Sequence, residues 1–388
     1  MSFLIGFYSN VGKLVNYKKI GKLGIRGSFY FCHMEPDDKW MLRALALAEK
    51  GKGVVSPNPM VGCVIVYQDQ IIGEGWHRQY GGPHAEVNAV EDALRRGNRD
   101  LLSDSVVYVT LEPCAHFGKT PPCADLLVRH AVKKVVICNR DPFPLVAGKG
   151  IDKLLGAGIE VVCGVLEKNG LELNKRFFTH LQLKRPYVIL KWAETADGFI
   201  AHADGSPLQI SNSYSRVRVH QLRAEEDAIL IGSGTALSDN PSLNVRFWHG
   251  NDPQRIILDR HLSLPAHLHI FDGSQKTIIV NYLQSDNKYH LASGSKYPTN
   301  YLKISPGSDV DEIKQFLIQL AERNIHSILV EGGLTILQSF LKSGMWDEIR
   351  RCQSFKVIER GISAPVVQGR LTHAEHVQDD LWTYYRNS

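Results

Sequence analysis

Two segments constrain this chain more than anything else in it: Pro83-His84-Ala85-Glu86 and the run from Glu112-Pro113-Cys114 through Gly118-Lys119-Thr120-Pro121-Pro122 to Cys123. Together they offer one imidazole, two thiols and a spare carboxylate. That is three ligands for a zinc ion with a fourth position open, whereas a structural site closes with a fourth Cys or His. Glu86, two residues from His84, is left over as a general acid/base.

The local spacing suits that reading. Pro83 fixes φ, and Ala85, Val87, Ala89, Val90, Ala93 and Leu94 follow a helical period that stops at Gly97. His84 and Glu86 are therefore expected in a first helical turn. Val106 to Leu111 is β-branched and reads as a strand. Pro113 then opens a turn, and Pro121-Pro122 precedes a second helix, Ala124 to His130. Thiols at helix starts ionise readily, and zinc takes the thiolate. Cys63, Cys138 and Cys163 sit in apolar runs and read as packing; Cys32 and Cys352 have no visible partner. An odd set of seven cysteines is no disulfide framework.

The H-x-E and P-C elements resemble the zinc deaminase signature H-x-E…P-C-x-x-C, except that eight residues part the cysteines here. A narrower resemblance rests on Pro57-Asn58-Pro59-Met60-Val61-Gly62, Gly75-Trp76-His77, Tyr108-Val109-Thr110-Leu111-Glu112-Pro113-Cys114, Gly118-Lys119-Thr120-Pro121-Pro122-Cys123, Asp141-Pro142 and Lys191-Trp192-Ala193-Glu194-Thr195-Ala196-Asp197-Gly198. These look like the bifunctional riboflavin-biosynthesis deaminase–reductase family, from about residue 35 to 388.

That resemblance implies an α/β protein: a cytidine-deaminase-like three-layer α/β/α domain over 34–167, a connector over 168–185, and a dihydrofolate-reductase-like α/β domain over 186–388. It implies one zinc per chain on His84, Cys114 and Cys123, with Glu86 catalytic. Asn58, His77 and Lys119 would surround a phosphoribosylated pyrimidine. The first domain would deaminate a 2,5-diamino-6-(phosphoribosylamino)pyrimidinone. The second would reduce ribosyl to ribityl with NADPH, its cofactor set being Ala193, Gln209, Thr235, Asp239, Arg260, Gly333, Leu334 and Thr335. Lys191, Arg223, Leu243, Arg246 and Glu331 would face the substrate, two arginines suiting one phosphate. Lys191, Asp197 and Glu331 are the candidate proton donors. One departure is Leu208-Gln209-Ile210-Ser211 where many members carry Trp-Ile-Thr, with Pro207 where a serine is common.

Read directly, residues 168–185 are polar and helical in pattern, and strands alternate with helices from Tyr187 on. Gly232-Ser233-Gly234 lacks the third glycine of a dinucleotide fingerprint, and Glu331-Gly332-Gly333 reads as a turn between strand and helix. The net charge of +5 comes from residues 1–33, which carry Lys13, Lys18, Lys19, Lys22 and Arg26 and no acid. The remainder balances, which argues against a nucleic-acid partner. Residues 1–33 read as an extension rather than a targeting signal, and no apolar run reaches membrane-spanning length. A cytoplasmic homo-oligomer is expected. The competing readings are a deaminase with a vestigial second domain, a base deaminase acting on nucleic acid, and a purely structural zinc module.

Overall fold

The computed structural model describes residues 36–115, 121–143, 147–206, 208–284 and 296–387. The expected N-terminal extension over 1–33, Lys119 and Pro207 lie outside these residues. The first half runs α1 (Pro36–Ala48), β1 (Gly62–Tyr67), β2 (Gln70–Trp76), α2 (Ala85–Arg95), β3 (Val106–Leu111), α3 (Cys123–Arg129), β4 (Lys134–Asn139), α4 (Lys149–Gly156) and β5 (Glu160–Cys163). Two helices follow, α5 (Glu167–Leu173) and α6 (Lys175–Leu183).

These five strands form one sheet in the order β2-β1-β3-β4-β5. β1 is antiparallel to β2 and β3, and β3, β4 and β5 are parallel. Alternation along each strand sends its side chains to two different cores. Cys63, Ile65, Val107, Val109, Val135 and Ile137 pack with α2, α3 and α4. Val64, Val66, Tyr108, Val136 and Cys138 face the other way, onto Trp40, Met41, Ala44 and Leu47 of α1. The result is helix, sheet, helix. α1 starts at Pro36 and carries Asp37 and Asp38 in its first turn, where the helix dipole favours them. One detail differs from the sequence reading. Cys163 is exposed, because β5 is the sheet's edge strand.

The second half runs β6 (Tyr187–Glu194), β7 (Phe199–His202), α7 (Ser213–Glu225), β8 (Ala228–Gly232), α8 (Ser233–Asp239), β9 (Gln254–Leu258), β10 (Thr277–Asn281), β11 (Thr299–Lys303), α9 (Asp309–Glu322), β12 (Ser327–Gly332), α10 (Leu334–Ser343), β13 (Glu348–Gln353), β14 (Gly361–Ser363), β15 (Arg370–Val377) and β16 (Asp380–Arg386). Nine strands make a sheet ordered β11-β10-β9-β8-β12-β6-β13-β16-β15. The first seven in that order are parallel, and β16 is antiparallel to β13 and β15. One face packs on α9 and α10 through Phe316, Leu320, Leu337 and Phe340. The other packs on α8 through Ala236 and on α7 through Leu222.

The connector helices are tied into this sheet by charge. Lys175 Nζ is 2.8 Å from Glu348 Oε2, and Glu348 also receives Arg350 Nε at 2.6 Å and the Tyr187 hydroxyl at 3.1 Å. Arg176 pairs through two nitrogens with Glu226, whose side chain is wholly buried. No helix among the described residues is long and apolar enough to cross a membrane.

Candidate active sites

β3 and two helix starts build the first site. His84 is the N-cap of α2 and Glu86 lies in its first turn. Cys114 follows β3, and Cys123 opens α3 behind Pro122. His84 Nδ1 is 3.6 Å from Cys114 Sγ and 3.3 Å from Cys123 Sγ. The three donor atoms lie within 4.8 Å of one another. Tetrahedral zinc at ordinary bond lengths separates a sulfur and a nitrogen ligand by about 3.6 Å, so the donor set fits zinc. The hydrogen bond from Cys123 and the neighbouring His84 hold the Cys114 thiol well below its usual range, while the same contact and burial push Cys123 up. Metal binding would displace the remaining thiol proton.

Glu86 is 3% exposed and stands outside the ligand group. Burial pushes its carboxyl up to about 7, with His84 opposing. A carboxyl poised there can hold or release a proton near neutrality.

His77 and Asn58 meet beside this cluster. The rings of His77 and His84 lie edge to face, 5.7 Å apart. His77 Nδ1 is 2.9 Å from the Pro83 carbonyl, which can only accept, so Nδ1 carries the proton. Nε2 then accepts from the Asn58 amide at 3.0 Å. Sequence reasoning missed Asn88, whose amide donates to the carbonyls of Trp76 and Pro83 and so links both loops. It also missed any role for Glu112, a buried acid between a strand and a cysteine. That placement is itself a signal, since carboxylates are seldom buried without partners.

The second site forms where parallel strands end. β8 and β12 are neighbours, and each runs straight into a helix, β8 through Gly232 into α8 and β12 through Gly332-Gly333 into α10. From there the chain departs in opposite directions, β8 toward β9 and β12 toward β13, the switch point at which open α/β sheets generally hold a ligand crevice. Thr235 stands over Gly333: a Cβ on Gly333 would come 2.9 Å from its hydroxyl oxygen. Leu334 and Thr335 open α10, whereas Asp239 is exposed at the far end of α8. Ala193 pairs with Cys352 of β13. Glu331 and Gly332 belong to β12 itself, so the turn read there begins later, at Gly333.

The charged groups are engaged with one another. Arg223 holds Glu331 through Nε at 2.9 Å and Nη2 at 2.8 Å, and its Nη1 reaches the Asn244 carbonyl at 3.2 Å. Burial would raise Glu331, but Arg223 and then Lys191 bring it down to about 2. Leu243 is buried with φ 55°, and the loop it starts puts Arg246 Nη1 2.7 Å from Asn244 Oδ1. His220, absent from the sequence reading, accepts the backbone N–H of Arg246 at 3.0 Å; burial, then Arg223 and Arg246, push it down to about 4. Asp197 accepts from Thr195 at 2.6 Å and from the N–H groups of Ile358 and Glu359. Arg260 does not stand free: its Nε donates to Glu312 at 2.8 Å. Gln209 donates to the Ser211 carbonyl at 2.7 Å, and its own carbonyl accepts from Lys356.

Residues 34–139 match the model of the cytidine and deoxycytidylate deaminase zinc-binding region, and residues 186–358 match the RibD C-terminal domain. The riboflavin biosynthesis protein RibD of Aquifex aeolicus is 42% identical over 330 residues, covering 85% of this chain and 90% of the relative. This chain belongs to the RibD family. RibD of Escherichia coli is 36% identical over 321 residues, covering 81% of this chain and 86% of that protein. Solved structures agree. A diaminohydroxyphosphoribosylaminopyrimidine deaminase/5-amino-6-(5-phosphoribosylamino)uracil reductase from Thermotoga maritima superposes with a TM-score of 0.80 at 36% identity, covering 91% of this chain and 99% of its own. RibD of Acinetobacter baumannii gives 0.79 at 35% identity, with the same coverage.

Proposed function

We propose that this chain carries out two successive steps of riboflavin biosynthesis: hydrolytic deamination of 2,5-diamino-6-(5-phosphoribosylamino)pyrimidin-4(3H)-one, then reduction of the ribosyl group of the resulting uracil to ribityl. The observation that carries the reading is the imidazole and two thiols set around one point beside a buried carboxyl, in the same chain as the β8–β12 crevice. The division of labour follows the two sheets, with 34–167 as deaminase, 168–185 as connector and 186–388 as reductase.

His84, Cys114 and Cys123 would hold one zinc, which supplies Lewis acidity toward water. Glu86 takes the proton from the attacking water and delivers it to the departing amine, so that water and the amino compound become carbonyl and ammonia. Asn58, its amide oriented by His77, presents Oδ1 to the N–H edge of the pyrimidine, and Lys119, outside the described residues, is kept as a substrate-binding cation by family resemblance alone.

In the second site NADPH, when bound, would supply the hydride. Thr235 and Gly333 to Thr335 bind the nucleotide at the crevice, with Ala193, Gln209 and Asp239 along it and Arg260 near the ribose. Arg223, Arg246 and Leu243 hold the ribosylaminouracil. Of the three candidate proton donors, Glu331 is clamped as an anion by Arg223, and Asp197 is held low by its Thr195 hydrogen bond and two N–H groups. Lys191, on β6 beside Glu331, is the remaining one and gives the proton to the ring oxygen as the sugar opens. The enzyme works in the cytoplasm on small molecules, as a homo-oligomer, without nucleic acid.

The test uses the purified full chain. Ammonia release from the diaminopyrimidine should precede NADPH oxidation, and the final product should carry a ribityl chain. Ammonia release with no NADPH oxidation would leave a deaminase with an inactive second half. A basic-groove deaminase would instead release ammonia from single-stranded nucleic acid.

A further inference from the structure

Glu112 is 4% exposed, yet its carboxylate is not one of the clustered zinc-ligand groups. Oε1 accepts the N–H groups of Gly150 at 3.0 Å and Ile151 at 3.4 Å, and Oε2 those of Gly148 at 3.1 Å and Asp141 at 3.3 Å. Three of these donors belong to the start of α4, whose own N-cap, Gly148, has no side chain to offer. The first N–H groups of a helix have no partner inside the helix, and a carboxylate is the group the dipole favours there. Glu112 thus caps α4 from a position 36 to 39 residues away.

The cap brings backbone against backbone. A Cβ on Gly150 would lie 1.9 Å from the Pro113 carbonyl oxygen, so α4 presses directly on the residue before Cys114. On its other side the same turn is held by α3: Cys123 N–H donates to Cys114 Sγ at 3.3 Å and Ala124 N–H to the Cys114 carbonyl at 3.1 Å. The Pro113–Cys114 turn is therefore gripped between two helix starts. The α3 grip reaches it through Cys114 itself, and the α4 grip depends on Glu112.

We infer that Glu112 is a positioning residue of the zinc centre: by capping α4 it fixes the Pro113–Cys114 turn, and so sets where the Cys114 sulfur stands relative to His84 and Cys123. This rests on the zinc reading above. Groups that orient metal ligands typically change metal affinity 10- to 100-fold when altered, although they never touch the ion. Glu112→Gln keeps the shape but loses the charge and one acceptor oxygen.

The experiment compares the unaltered full chain, Glu112→Gln and Leu154→Ala. Leu154 is a buried residue of α4 in the main core of the first sheet, so its truncation weakens the same helix without touching Pro113. Metal content of the unaltered chain is measured first; a chain without bound zinc would count against the zinc reading itself. Zinc loss to a chelator and the thiolate-to-metal absorption of the cobalt-substituted protein are then followed. Glu112→Gln should lose zinc about tenfold faster or more and show altered cobalt bands, whereas Leu154→Ala should lower the melting temperature and leave both close to the unaltered chain. Zinc loss from Glu112→Gln no faster than from Leu154→Ala, with unchanged bands, would overturn the assignment. If Glu112→Gln fails to fold, Glu112→Asp, which keeps the charge on a shorter arm, is read by the same two measurements and the same criteria.

Discussion

His180 and His326 stack ring on ring, 3.8 Å between centroids and 21° between planes, where α6 crosses the start of β12. Burial and then the neighbouring His180 push His326 down to about 4; burial and then Lys184 push His180 down as well. Phe177 lies 6.4 Å from His326, and Asp227 accepts the backbone N–H of His326, not its ring, at 2.7 Å.

Both imidazoles are protonated less readily in the folded chain than in the unfolded one. Between the ordinary value of 6.5 and about 4 the unfolded chain therefore binds more protons, and stability falls as pH drops through that window. The His326 contribution is at most about 3 kcal/mol. The melting temperature should decline from pH 7 to pH 5 and decline less in His180→Phe, which keeps the stack and removes one titrating ring. Parallel declines in the two proteins would clear the pair of responsibility.

Cys114→Ser and Cys123→Ser should each lose bound zinc, because a hydroxyl replaces a thiolate. Glu86→Gln should retain it, since Glu86 lies outside the ligand group. Ammonia release by Glu86→Gln should fall on the order of 10²–10⁴-fold or more, as the amide keeps the shape and cannot carry the proton. Elemental analysis and an ammonia assay on the same samples decide both points. A full zinc equivalent in both serine variants would remove the site.

Removing Arg223 leaves the mostly covered Glu331 without its hydrogen-bonded counter-charge, with Lys191 as the remaining cation beside it. Arg223→Met should cost about 3–5 kcal/mol, and adding Glu331→Gln should recover part of that loss. Urea midpoints for the two single variants and the double variant give the coupling directly. Additive losses would mean that the two parallel hydrogen bonds contribute nothing as a pair.

Gln209 holds its own loop through Ser211 and lacks the flat ring that could lie on a nicotinamide. Gln209→Trp should tighten NADPH binding. Arg260→Ala should weaken NADPH more than NADH, even though Glu312 already occupies part of the guanidinium. Fluorescence titration of both cofactors against the full chain checks each expectation. An identical loss for the two cofactors would separate Arg260 from the 2′-phosphate.

The deaminase half was readable because its chemistry sits at punctuation. Pro83, Pro113 and Pro121-Pro122 mark helix starts and a turn, and His84, Cys114 and Cys123 occupy them. Strand β3 was readable too, from the β-branched run Val106 to Leu111. β13 to β16 were not legible. Glu348 and Arg350 are buried charges inside β13, so no apolar period marks it, and β15 is an edge strand with mostly exposed residues. Nor could sequence show that Arg223 would find Glu331, 108 residues on, or that Arg260 would find Glu312, 52 residues on. A lone arginine reads as a free cation until its partner is seen. The role of Glu112 was hidden for the same reason: its partners begin 29 residues later.

The ion pairs of the connector set a rule for anyone who would dissect this enzyme. A fragment cut at residue 184 looks natural, because Pro186 follows the last helical turn. It would, however, strip Glu226 of Arg176 and Glu348 of Lys175, leaving Arg350 as the base shared by two interior carboxylates. Inactivity of such a fragment would report on the scissors and not on the reductase. A cut before Glu167 carries both bases along with the domain that needs them.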